Sequence, residues 1–267
     1  MRISINNSKW YDELWAAFIY FTQLPLRRIY QPQKDSFKAV IEYWPLTGWL
    51  TGGLMAITLY FSSMFFPYAV AVLLAIAIRM LLTGGLYEVE LAHFLDGFST
   101  GGSNKQRILE TMKDPHTNIY GVFGLIIYII FLFFTLYSMS PRFAALTIFA
   151  ADPYSKMVAS QITQMLPYAQ TEQESNIKVG NRKINLKSGI SLLLQGMLPL
   201  IIYMWLFNWQ LRWDLLIFVP CLTMYFLYLL ILNRLKGYTE ICCWALFLLI
   251  ELSFYLVAST TFTNMTV

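Results

Sequence analysis

Between Leu81 and Gly121 the chain reads LLTGGLYEVELAHFLDGFSTGGSNKQRILETMKDPHTNIYG, with Glu88, Glu90, His93 and Asp96 directly after a glycine pair. Carboxylates and an imidazole set so closely suit general acid–base work or the gathering of a hard, oxygen-preferring ion such as Mg²⁺. On a helix, Val89, His93 and Asp96 share a face at i, i+4, i+7. That face then carries one carboxylate and one imidazole, fewer oxygens than a magnesium site for pyrophosphate chemistry uses. Asp96-Gly97 and Lys113-Asp114 are the candidates for a ligand and a phosphate contact. The same acids also suit capping in a solvated loop.

The elements that must position these groups are long apolar runs. Of the 267 residues 57% are hydrophobic, 17% aromatic and only 13% charged, and the mean hydropathy is +0.53. This excludes an ordinary soluble domain. Seven runs approach the roughly 20 residues that cross a bilayer: Val40 to Phe61, Pro67 to Leu86, Tyr120 to Met139, Phe143 to Leu166, Gly189 to Leu206, Leu215 to Leu232 and Ile241 to Ala258. The fold class expected is all-α, a polytopic membrane bundle of about seven helices forming a single domain over residues 1–267. Residues 87–119 then form an acidic, glycine-rich loop. The stretch Trp10 to Leu26 is too short to span and ends at a basic pair, so it reads as an interfacial or re-entrant helix.

With these spans, fifteen Lys and Arg side chains fall at one end of the bundle, including those at positions 2, 9, 178, 182 and 183. Only Arg142 and Arg212 fall at the other, and Arg79 and Lys156 lie inside spans. Basic residues accumulate on the cytoplasmic side. The amino terminus and the 87–119 segment are therefore expected in the cytoplasm, in a bacterial or archaeal cytoplasmic (inner) membrane. The net charge of +4 favours anionic lipid, and no basic run suggests nucleic acid. Cys221, Cys242 and Cys243 fall in apolar runs and read as reduced packing residues. Charges within spans face a bundle interior or water, which singles out Glu42, Arg79, Asp152, Lys156 and Glu251. Asp152 and Lys156, at i, i+4, form a pair whose role is either internal support or substrate contact.

The segment TGGLYEVELAHFLDGFSTGG, followed by RILETMKD and IYGVFG, resembles the signature of the cobalamin synthase family, the adenosylcobinamide-GDP ribazoletransferases. FTQLPL at Phe21 to Leu26, YWPLTGWLTG at Tyr43 to Gly52 and KGYTEICCWALFLLIEL at Lys236 to Leu252 resemble further motifs of that family, in order along nearly the whole chain. The resemblance implies a membrane transferase that joins adenosylcobinamide-GDP to α-ribazole, or its phosphate, with release of GMP. Its substrates would be a corrinoid nucleotide and a ribazole, its surroundings a lipid bilayer, and its cofactor Mg²⁺. Carried over by position, Glu88, His93 and Asp96 are the catalytic candidates, with Glu88 and Asp96 as metal ligands. Tyr87, Lys113, Asp114 and Glu240 are the substrate-binding candidates.

The departures from the family pattern fall on the chemistry. Tyr87 replaces a His; Val89, His93 and Ile241 replace Asp; Glu90, Glu240 and Trp244 replace Gly. Either the pocket has been rebuilt, or catalysis is impaired in a transferase by descent. A corrinoid-binding or scaffolding relative is the alternative function. A transporter is disfavoured because no matching halves are seen.

Overall fold

The computed structural model describes residues 10–169, 184–207 and 212–266, with side chains of the last stretch to Thr260. The basic residues at positions 2, 9, 178, 182 and 183 lie outside the described residues. In lipid every backbone N–H and C=O must be satisfied within its own segment, so long apolar runs become helices. The chain is all-α, and helices stand at all seven predicted positions: α2 Trp44–Ser62, α3 Tyr68–Thr83, α6 Ile119–Tyr137, α7 Pro141–Ser160, α9 Leu186–Leu206, α10 Trp213–Leu235 and α11 Glu240–Thr266. Four of them, α6, α9, α10 and α11, are long and apolar enough to cross a membrane, which makes this a multi-pass membrane protein. By the same measure α3 falls short at 16 residues, while α7 carries Arg142, Asp152 and Lys156.

The 87–119 segment differs from the loop expected of it. It folds as α4 Leu86–Thr100 and α5 Lys105–Lys113, joined to α6 by a short linker. Gly84 and Gly85 both adopt φ +68°, ending α3 in a left-handed turn that few other residues enter without strain. The axis of α4 then leaves at 88° to that of α3. Whether the pair is one broken span or a re-entrant hairpin, the corner puts the acidic residues at one end of the bundle.

The first helix, α1 Trp10–Phe21, has 12 residues, about 18 Å at 1.5 Å each, and cannot span. It packs against a 3-10 helix over Lys34–Tyr43 and is pinned by Trp15 Nε1 donating to the Tyr30 carbonyl at 3.2 Å and by the Tyr30 hydroxyl donating to Asp12. The fourth predicted span ends early: α7 stops at Ser160, and the short α8 Ile162–Met165 follows.

Successive long helices alternate in direction. Tyr68 at the start of α3 donates to the Leu136 carbonyl at the end of α6, and Thr147 early in α7 bonds Tyr203 late in α9. The centre is α7 and α11: 72% of the apolar window of α11 is buried, against 22% for α10. The outer faces of α6 and α10 carry exposed Phe123, Phe131, Phe218 and Phe226, as lipid requires.

Candidate functional site

Two buried charge clusters and an aromatic plug meet beneath the α3–α4 corner. Arg79, near the end of α3, donates to Glu251 of α11 at 2.6 Å, to Glu88 of α4 at 3.4 Å and to the Tyr128 hydroxyl of α6 at 3.0 Å. Tyr255, one turn beyond Glu251, donates to its other oxygen at 2.7 Å. On the neighbouring helices Lys156 lies 2.6 Å from Asp152, and Thr51 joins the pair, accepting from Lys156 and donating to Asp152, each at 2.7 Å. The expected i, i+4 pair is therefore present. Each charge is buried but answered by an opposite charge and hydrogen bonds, the condition under which such groups are tolerated.

Tyr87 does not face an open pocket. It is fully buried, its hydroxyl accepts from Trp44 Nε1 at 3.1 Å, and its ring lies 4.8 Å from that of Phe247. Trp44, Trp244 and Phe21 complete the plug, with centroids of Trp44 and Trp244 4.9 Å apart and those of Phe21 and Trp44 5.6 Å apart. The Lys156 ammonium sits 4.8 Å from the Phe247 ring centre and 5.4 Å from that of Tyr87, so the plug also clothes a cation. Tyr87 is thus a packing residue rather than an accessible substrate contact. The reason is volume: rings at 87 and 244 fill the space between α1, α2, α4 and α11.

The two proposed metal ligands are not brought together. Asp96 is buried and caps α6: its carboxylate accepts from the backbone N–H of Asn118 at 2.7 Å and of Gly121 at 2.6 Å. A negative charge at a helix amino terminus is favoured by the free N–H groups and the helix dipole. Gly121 makes the approach possible, since a Cβ there would come within 2.6 Å of the Ala92 carbonyl oxygen. Glu88 instead answers Arg79. Eight residues apart on one helix, Glu88 and Asp96 are separated by about 12 Å along its axis, too far to share an ion with oxygen ligands at about 2 Å. Among the described residues no three His, Cys, Asp or Glu side chains are gathered around a point. Among the described residues, the side chains here do not fit a Mg²⁺ site.

His93 is different. Half-buried on α4, it has a ring Nδ1 with no hydrogen-bond partner among the described residues, and it lies close enough to Asp114 to act on it electrostatically. Asp114, exposed in the α5–α6 linker, is held below the usual carboxylate range, first by the His116 backbone N–H at 2.9 Å and then by the His116 ring at 3.1 Å. Lys113 is exposed beside it. Glu240 begins α11 half-buried and accepts from the Tyr20 hydroxyl at 3.0 Å, with Glu90 within electrostatic reach. The structure thus puts Asp114 within electrostatic reach of His93 and, separately, groups Glu90, Glu240 and Tyr20.

Sequence reasoning missed the cap made by Asp96, the partnership of Tyr20 with Glu240 and the plug residues Trp44 and Phe247. Asp96 and Gly121 are 25 positions apart, and no local signal joins them. The Glu251–Tyr255 bond, at i, i+4 on one helix, was within reach of periodicity.

The family model described as cobalamin-5-phosphate synthase matches residues 13–259. The chain belongs to the cobalamin-5-phosphate synthase family. The adenosylcobinamide-GDP ribazoletransferase of Vibrio vulnificus is 30% identical over 262 residues, covering 92% of this chain and 95% of its own. The protein of that name from Shewanella baltica is 29% identical over 198 residues, 72% of this chain and 75% of its own. The one from Leptospira interrogans is 28% identical over 177 residues, 65% of this chain and 66% of its own. No solved structure matches the chain. In cobalamin-5-phosphate synthase terms, the motif segments from Leu86 to Gly121 and from Lys236 to Leu252 lie side by side here, since α4 and α11 are packed together.

Proposed function

We propose that this chain acts on the substrates named for its relatives, a corrinoid activated as a GDP ester and a ribazole, at the end of the bundle formed by α4, α5 and the start of α11. The match along residues 13–259 carries the reading. The same end holds the basic residues of the short loops, Arg27, Arg28, Lys105, Arg107, Lys113 and Lys236, which supports a cytoplasmic working face, an amino terminus in the cytoplasm and residence in a cytoplasmic (inner) membrane.

In the transfer, a ribazole hydroxyl oxygen bonds to the phosphorus that bears the cobinamide. The bridging bond to the GMP phosphoryl group breaks, GMP leaves with that bond's electron pair, and the hydroxyl proton passes to a base. His93 is the base in this reading, because it is a half-buried imidazole on α4 whose buried Nδ1 has no hydrogen-bond partner among the described residues. Lys113, and Lys105 at the start of α5, supply positive charge for the diphosphate. Among the described residues no ligand set for Mg²⁺ is gathered, so no step is routed through it. The consequence is a slow enzyme: loss of charge stabilisation at a phosphoryl-transfer centre costs about three decades in rate.

The test is GMP release from adenosylcobinamide-GDP and α-ribazole by the purified protein in liposomes. Weak, Mg²⁺-independent release is expected, abolished by His93→Ala. The double variant Val89→Asp with Ile241→Asp should gain Mg²⁺-dependent turnover, and Val89, half exposed on α4, accepts the change without a packing cost. A chain that already turns over as fast as the double variant would refute this account of the site. No release from either would remove the transferase reading.

A further inference from the structure

At the opposite end of the bundle a groove of about 460 Å³ opens between α2, α7 and the end of α9. Its floor is Gly53 and Phe149, its walls are Ile57 and Leu206, and its mouth holds Tyr60 and Arg142. The volume falls in the range of small-molecule sites. No acidic residue lines it.

Arg142 makes the groove unusual. It and Arg212 are the two basic residues at this end of the bundle, where basic residues are otherwise excluded. Arg212 is neutralised by Asp214, through bonds of 3.2 and 3.0 Å. Arg142 is exposed and has no hydrogen bond or ion pair among the described residues. It is thus a free guanidinium at the rim of an apolar trough, with a tyrosine hydroxyl on the same rim. A guanidinium recognises phosphate oxygens in a fork, tyrosine settles at headgroup depth, and the apolar floor suits an acyl chain.

We propose that the α2–α7–α9 groove is a binding site for one anionic phospholipid, its chain along Gly53 and Phe149 and its phosphate at Arg142. The site is independent of the transferase reading and is lined by α2, α7 and α9, with no residue of α3 or α4 among those lining it.

Native mass spectrometry of the full chain, eluted from detergent with phosphatidylglycerol or phosphatidylcholine, tests this. One phosphatidylglycerol should be retained per protein, in clear preference to phosphatidylcholine. Arg142→Gln should weaken that retention about fivefold, as expected for one interfacial charge, while Arg142→Lys keeps most of it. Gly53→Leu should displace the lipid by filling the floor. It is expected to fold, because a Cβ at Gly53 meets only the Phe149 ring, at 3.8 Å. Equal retention of the two lipids, retention unchanged by Arg142→Gln, or a dimer mass in place of a lipid adduct would each overturn the proposal.

Discussion

Lys156 and Asp152 show how a single charge is kept inside the bundle. The ammonium and carboxylate lie 2.6 Å apart and share the Thr51 hydroxyl, so Lys156→Met leaves a buried carboxylate with one neutral donor. A loss of about 3 kcal/mol is expected for such an orphaned charge. Adding Asp152→Asn should restore much of it, as read from denaturation in detergent through a double-mutant cycle. Additive losses would show that the pair is not coupled. Asp114 makes a second prediction, outside the spans. Its carboxyl is depressed by His116, mainly through the backbone N–H, so it favours the folded linker above the ordinary aspartate value of about 3.9. That contribution disappears as the pH falls through the lower folded value. His116→Ala should move the Asp114 midpoint only part of the way up, because the larger influence is the backbone bond that alanine retains. A carboxyl-carbon NMR titration that returns it fully to the ordinary value would contradict this order of causes.

At the scale of the element, the corner between α3 and α4 depends on two glycines of identical φ but different surroundings. A Cβ at Gly84 would strike the Gln23 side chain, at 2.6 to 2.9 Å, whereas one at Gly85 meets nothing within 4 Å. Both alanine variants pay the left-handed backbone cost of about 1 to 2 kcal/mol. Gly84→Ala must also push aside Gln23, whose backbone N–H holds the Leu82 carbonyl at 2.7 Å. Thermal unfolding should therefore rank Gly84→Ala below Gly85→Ala, and the reverse order would show that the turn is governed by φ alone. The four helices α6, α9, α10 and α11 were readable as long apolar runs, with Glu251 the charge inside the last. The helix α4 was not, because its buried face is made of Tyr87, Glu88, Leu91, Phe94 and Asp96, and polar residues satisfied by other elements look like loop residues in a one-dimensional reading.

At the scale of the whole molecule, alternating helices put Ser103 and Ser138 at opposite ends of the bundle. In a Cys221→Ala background, a cysteine at Ser103 should be labelled by an impermeant reagent only from the cytoplasmic side and one at Ser138 only from the outside. Labelling of both from one side would remove the charge-based orientation. The apolar excess, the places of the long helices, the basic bias of one end and the ordered family motifs are properties of the chain as a line, because each rests on composition or on short-range spacing. The Asp152–Lys156 pair belongs with them, since one turn of helix brings the two residues face to face. What the carboxylates do was decided only in three dimensions. Glu88 and Asp96 lie in one motif, yet one neutralises Arg79 and the other holds the first N–H groups of α6. Whether an acid binds a metal or ends its hydrogen-bonding capacity on its neighbours depends on which helix termini and cations pack against it. Those contacts are made between residues tens of positions apart.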